Sequence, residues 1–139
     1  MKVALLTVFM MGVSVVMVSP VRAQEQTTQE AHTAQQIKRA FEAGNARALL
    51  DAAVDRLEIS LFGANTSYSR GQALYVLEDF FRNYPPHRFM LQDHQETDGH
   101  RFAMGRYWYE GSDRPLQVYL RLRAEGGGWV LQEIRIGES

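Results

Sequence analysis

The segment from Leu57 to Pro86 constrains the fold most, because its hydrophobic period changes partway along. Leu57, Ile59 and Leu61 alternate at the strand period of two, whereas Ala73, Leu77, Phe80, Phe81 and Tyr84 recur at the helical period. Ser69-Arg70-Gly71-Gln72 has the spacing of a capping box, in which the serine hydroxyl and the glutamine side chain each satisfy an orphan amide of the first turn. Tyr84-Pro85-Pro86 ends the helix, since a residue before proline is pushed out of helical geometry. A strand, a small polar loop and a capped amphipathic helix are therefore predicted in that order.

Upstream, Ala34, Ile37, Ala40 and Phe41 form a helical stripe closed by Gly44, and Asn45 can cap a second short helix holding Leu49 and Leu50. Gln24 to Thr33 is polar and reads as a disordered lead-in. Downstream, four strands are predicted near 88–96, 101–110, 115–124 and 129–136. Asp98-Gly99 is a two-residue hairpin signal that pairs Glu96 with Arg101, Asp93 with Met104, Leu91 with Arg106 and Phe89 with Trp108. In the last hairpin a three-residue Gly126-Gly127-Gly128 loop pairs Leu120 with Ile134, Val118 with Ile136 and Arg121 with Glu133. Helices grouped ahead of a meander, with one apolar sheet face, give an α+β fold of a curved, mostly antiparallel sheet wrapped on N-terminal helices.

The first 23 residues predict export. Met1-Lys2 is positive, Val3 to Val18 is an uncharged apolar run of 16 residues, and Val21-Arg22-Ala23 suits cleavage after Ala23. That run is shorter than the ~20 residues that span a bilayer, so a signal peptide is expected rather than a stable membrane anchor, with a periplasmic or secreted product. The mature chain would carry 13 basic and 16 acidic residues, net −3, which gives no nucleic-acid signature. The sequence has no cysteine, which excludes disulfides, thiolate metal sites and a cysteine nucleophile.

Phe41-Glu42-Ala43-Gly44-Asn45-Ala46, Glu58-Ile59-Ser60-Leu61, Tyr68-Ser69-Arg70-Gly71-Gln72-Ala73, Asp79-Phe80-Phe81 and Leu131-Gln132-Glu133-Ile134-Arg135-Ile136 resemble, in order, family 4783 of the domains of unknown function, a family of exported bacterial proteins. The resemblance covers roughly residues 35–137 and implies one domain over 34–137. It also implies the cone-shaped fold of the nuclear transport factor 2-like superfamily, which hosts isomerases, dehydratases and many non-catalytic binding modules. It transfers no catalytic residue, and a fold of this kind does not by itself define an activity.

In a cone the cavity lies between the concave sheet face and the helices, so polar residues in phase with core positions are the candidates. The predicted register puts Phe89, Leu91, Asp93, Phe102, Met104, Arg106 and Trp108 on one face, with Asp93 and Arg106 diagonal to one another. They are either a pocket carboxylate, acting as a general base beside an arginine that binds an anionic group, or a structural ion pair. Gln132 is a weaker ligand-binding candidate of the same kind. Asp93, His94, Glu96, Asp98 and His100 cluster at the hairpin tip, but their spacing matches no metal motif, and no metal or cofactor is expected.

On the other face of the last hairpin the pattern sets Tyr119, Arg121, Arg123, Trp129, Leu131 and Arg135, either a protein interface such as a homodimer or a solvated sheet face. The leading expectation is a non-catalytic exported module that binds an unknown small molecule or a protein, with no catalytic residue assigned. The alternative is a cofactor-free isomerase or dehydratase using Asp93 as base and Arg106 as partner.

Overall fold

The computed structural model describes residues 21–138. Two helices, α1 (Val21–Ala43) and α2 (Ala46–Asp51), lead into β1 (Ala53–Leu61) and β2 (Asn65–Ser69). Helix α3 (Arg70–Asn83) then precedes the meander β3 (Pro86–Thr97), β4 (His100–Tyr109), β5 (Leu116–Glu125) and β6 (Gly128–Glu138). The six strands form one sheet in the order β2-β1-β6-β5-β4-β3, antiparallel throughout except for the parallel pair β1–β6.

The local signals act as their chemistry requires. Ser69 and Gln72 make both halves of the capping box at the start of α3, and Asn45 caps α2 through the amide of Ala48. Ala73, Leu77, Phe80 and Phe81 are all buried, so the α3 stripe faces the sheet. Gly44 adopts φ +62° between α1 and α2, a conformation glycine reaches without steric cost. Residues 24–33 are part of α1 rather than a disordered lead-in. The stretch has no glycine or proline, and half of it is Gln and Glu, which favour the helix. The expected export signal falls mostly in residues 1–20, outside the described residues. No described helix is long and apolar enough to cross a membrane.

Asn65–Ser69, expected as a loop, is an edge strand hydrogen-bonded to β1. Its mostly exposed residues make it polar, so hydrophobic alternation does not reveal it.

The first and last of the three meander hairpins turn through two residues with positive φ, Asp98-Gly99 and Gly126-Gly127, as a type I′ turn requires. Glu96 faces Arg101 as predicted, but Asp93 is an extra residue in β3, so that Gln92 faces Met104 while His94 faces Ala103. Beyond this bulge Leu91 pairs with Gly105, Met90 with Arg106 and Phe89 with Tyr107, replacing the predicted partners. A one-residue bulge exchanges the faces of everything past it, which moves Phe102, Met104, Arg106 and Trp108 off the core face. A second bulge, at Gln132, has the opposite consequence. The loop before it is two residues rather than three, and the extra residue restores the predicted pairs Leu120–Ile134, Val118–Ile136 and Arg121–Glu133.

The core fills one end of the cone. Phe41 stacks on Phe89 with centroids 4.6 Å apart, and Phe81 and Tyr107 meet Phe41 edge-on. The fully buried Tyr107 hydroxyl donates to the Tyr84 carbonyl at the helix end.

Candidate functional site

At the other end the helices and the sheet do not meet fully, and a cavity of about 250 Å³ remains. Helix α1 supplies Thr33, Ala34 and Ile37; β3 and β4 supply Leu91, His94, Arg101 and Ala103; β5 and β6 supply Leu120, Leu122 and Trp129. The walls are apolar apart from Thr33, His94 and Arg101, and no carboxylate lines the cavity among the described residues. The Arg101 guanidinium lies over the Trp129 indole, 5.2 Å from the ring centroid. A cation on an indole face gains electrostatic attraction to the ring, which fixes the head group at the cavity wall.

The bulge at Asp93 creates this arrangement. It sets His94, an exposed residue at the cavity's border, opposite Ala103, and leaves Arg101, Ala103, Gly105 and Tyr107 on the inner face of β4. The predicted meeting of Asp93 with Arg106 lies outside the described residues, because the Asp93 side chain is not among them. Arg106 is exposed on the outer face between Met90 and Gln117. Among the described residues no group of three or more histidine or acidic side chains is placed to hold a metal ion.

Gln132, the third predicted ligand-binding residue, instead accepts a hydrogen bond from Arg121 Nη1 at 3.0 Å on the outer face. Arg121 also donates through Nε to Glu133 at 2.8 Å and through Nη2 to Glu58 at 3.1 Å, while Arg135 donates to the other Glu133 oxygen. The Arg135 guanidinium covers Tyr119, which stacks on Phe102. Burial, then the Glu133 carboxylate, pushes the Tyr119 phenol above its ordinary value, against the weaker opposing pull of Arg135 and Arg121. Tyr119 and Arg121 thus lie on the outer face as expected. Trp129 and Leu131 do not: they are buried on the inner face, because the short glycine turn puts both in phase with Leu122.

Sequence reasoning weighed His94 only as a hairpin-tip metal ligand, and missed Arg101 because the other alternation in β4, Phe102-Met104-Arg106-Trp108, is more hydrophobic than Arg101-Ala103-Gly105-Tyr107. The available signal was Gly105. Glycine inside a strand marks close approach of another group, and here the Phe89 ring occupies the space a β-carbon would need.

The family model for the domain of unknown function DUF4783 matches residues 34–137. Solved structures of two DUF4783 proteins are similar, one from Bacteroides uniformis at 20% identity and TM-score 0.68, covering 76% of this chain and 95% of that one. The other, from Bacteroides fragilis, has 18% identity and TM-score 0.69, covering 75% of this chain and 96% of that one. An NTF-2 like protein of unknown function from Silicibacter pomeroyi matches at 13% identity and TM-score 0.58, over 82% and 96%. No curated protein matches in sequence. At these identities the structural likeness establishes the fold, a cone-shaped α+β NTF2-like architecture. Because the family model runs the length of the folded domain, the chain belongs to the DUF4783 family.

Proposed function

We propose that this protein is a non-catalytic exported binding module that holds a small, largely apolar ligand between α1 and the inner face of the sheet. The observation that carries the proposal is the 250 Å³ cavity itself, apolar over most of its wall and bordered by a few polar groups at Thr33, His94 and Arg101. Ligand sites commonly have this composition, in which apolar walls supply affinity and sparse polar groups orient the ligand. An apolar cavity of ~150 Å³ accommodates benzene, so this one has room for a larger group.

The alternative, an isomerase or dehydratase, would place a base and an electrostatic partner around one substrate. The separation of Arg106 from the cavity favours binding over that chemistry. Export rests on the N-terminal pattern, and a secreted product whose intact mass begins at Gln24 is the expected result. Full-length chain in the membrane fraction would contradict it.

The cavity reading is tested with 1-octanol, a neutral apolar probe. In a Trp108→Phe background Trp129 is the remaining tryptophan of the two. Its fluorescence should change saturably with 1-octanol, and Ala103→Leu, which fills the cavity, should abolish the change while the protein stays folded. No saturable change, or an unaltered one in Ala103→Leu, would reject the proposal.

A further inference from the structure

We infer that the outer face of the meander docks an acidic, apolar-containing segment of a partner protein, with its carboxylates at Arg88 and Arg106. Cross-strand pairing sets Arg88 beside Trp108, Arg106 beside Met90, Arg121 beside Phe102, Arg135 beside Tyr119 and Arg123 beside His100. Arginines and apolar side chains thus interleave over four strands, on a face that no described helix covers. Phe102, Met104, Trp108 and Tyr119 are half-buried there, and Met90 is exposed. Aromatic residues, methionine and arginine are the side chains enriched at the core of protein interfaces.

Charge selects the partner. The five arginines share this face with Glu58, Glu125 and Glu133, a local excess of two positive charges on a chain whose net charge is −1. Arg121, Arg123 and Arg135 are engaged with those glutamates, whereas Arg88 and Arg106 meet no described carboxylate. Arg88 lies on the Trp108 ring, 5.0 Å from its centroid, and Arg106 borders a hollow of about 330 Å³ lined with Gln92, Met104, Pro115 and Gln117. A guanidinium flanked by amides and a thioether suits a carboxylate carried on an apolar stem. A second copy of this chain, docked face to face, would instead set these cations against the same positive patch. A polyphosphate would bring its charge against the three glutamates as well, so a segment that mixes carboxylates with apolar side chains matches the face better.

The test measures binding of two soluble probes to the immobilised protein, a random copolymer of glutamate and tyrosine and its lysine–tyrosine counterpart. The acidic copolymer should bind at least about fivefold more tightly, and added salt should weaken it. Arg88→Gln combined with Arg106→Gln, both at exposed positions, should remove this preference. Arg39→Gln combined with Arg47→Gln, the same change of charge on the exposed helix surface, should keep it. No binding, equal binding of the two copolymers, or a preference lost equally in both double variants would overturn the inference. Tighter binding to phosphatidylglycerol vesicles or to oligothymidine than to the acidic copolymer would overturn it too, by making the occupant a membrane or a nucleic acid. A dimer in sedimentation equilibrium that Met90→Glu dissociates would assign the face to a second copy and equally overturn it. None of these outcomes bears on the cavity, which lies on the opposite face of the sheet.

Discussion

Arg121 donates to Glu133 at 2.8 Å on the outer face of the sheet, where the Glu133 carboxylate is only 2% exposed. A carboxylate so little exposed, on a face no described helix covers, is shielded by the side chains that pair with it. Arg121 and Arg135 hold its two oxygens, and Arg121 also reaches across β6 to Glu58 on β1.

Arg121→Ala should therefore destabilise through the carboxylate it leaves behind. With Arg135 still bound to one oxygen, the loss is expected at about 1–3 kcal/mol, the cost of an under-satisfied buried polar group. Urea midpoints measure it, and a double-mutant cycle with Glu133→Gln should give a coupling energy. An uncoupled pair would mean that the network carries no stability.

Gly105 sets the position of Phe89. A β-carbon at residue 105 would stand 2.8 Å from Phe89 Cε2 and 3.1 Å from the Met90 carbonyl oxygen, and Phe89 cannot withdraw because it is stacked on Phe41. Gly105→Ala should cost about 1–3 kcal/mol by overpacking, read from thermal or urea unfolding. A gain in stability, as expected for alanine in an uncrowded strand, would contradict this account of the core.

Tyr107 makes the fold sensitive to alkali. Burial pushes its phenol well above the ordinary tyrosine value near 10, so the folded state holds the proton more tightly than the unfolded chain. The contribution to stability is complete below about pH 10 and is lost as pH rises above it, at about 1.4 kcal/mol per pH unit for one such group. Tyr119, raised in the same direction, adds to the loss. Tyr107→Phe should lower stability at neutral pH by about 1 kcal/mol through the lost bond to the Tyr84 carbonyl, and should flatten the alkaline decline. Unfolding curves from pH 8 to 11.5 on both proteins provide the check.

The elements of this fold were legible in the sequence wherever a local rule governs them. The Ser69–Gln72 capping box, the α3 stripe, the stop at Tyr84-Pro85 and the Asp98-Gly99 turn each follow from interactions within a few residues. The faces of β3 and β4 were not legible, because a bulge leaves little trace in composition and reverses every side chain past it. The bulge at Asp93 set His94 opposite Ala103 and put Arg101, rather than Arg106, in the cavity wall. The bulge at Gln132 offset the shorter glycine turn, which kept the predicted pairing of Leu120 with Ile134 while sending Trp129 and Leu131 inward. Gly105 was the sequence sign that the smaller-residue face of β4 is the crowded one.

The central claim is that ligand enters the end of the cone bordered by His94, Arg101 and Trp129. Intermolecular nuclear Overhauser effects between methyl-labelled protein and bound 1-octanol test it most directly. The account predicts contacts from the octyl chain to the methyl groups of Ile37, Leu91, Leu120 and Leu122, together with the Trp129 ring. Contacts confined to Met90 and Met104 on the outer face, with none to those inner residues, would contradict it.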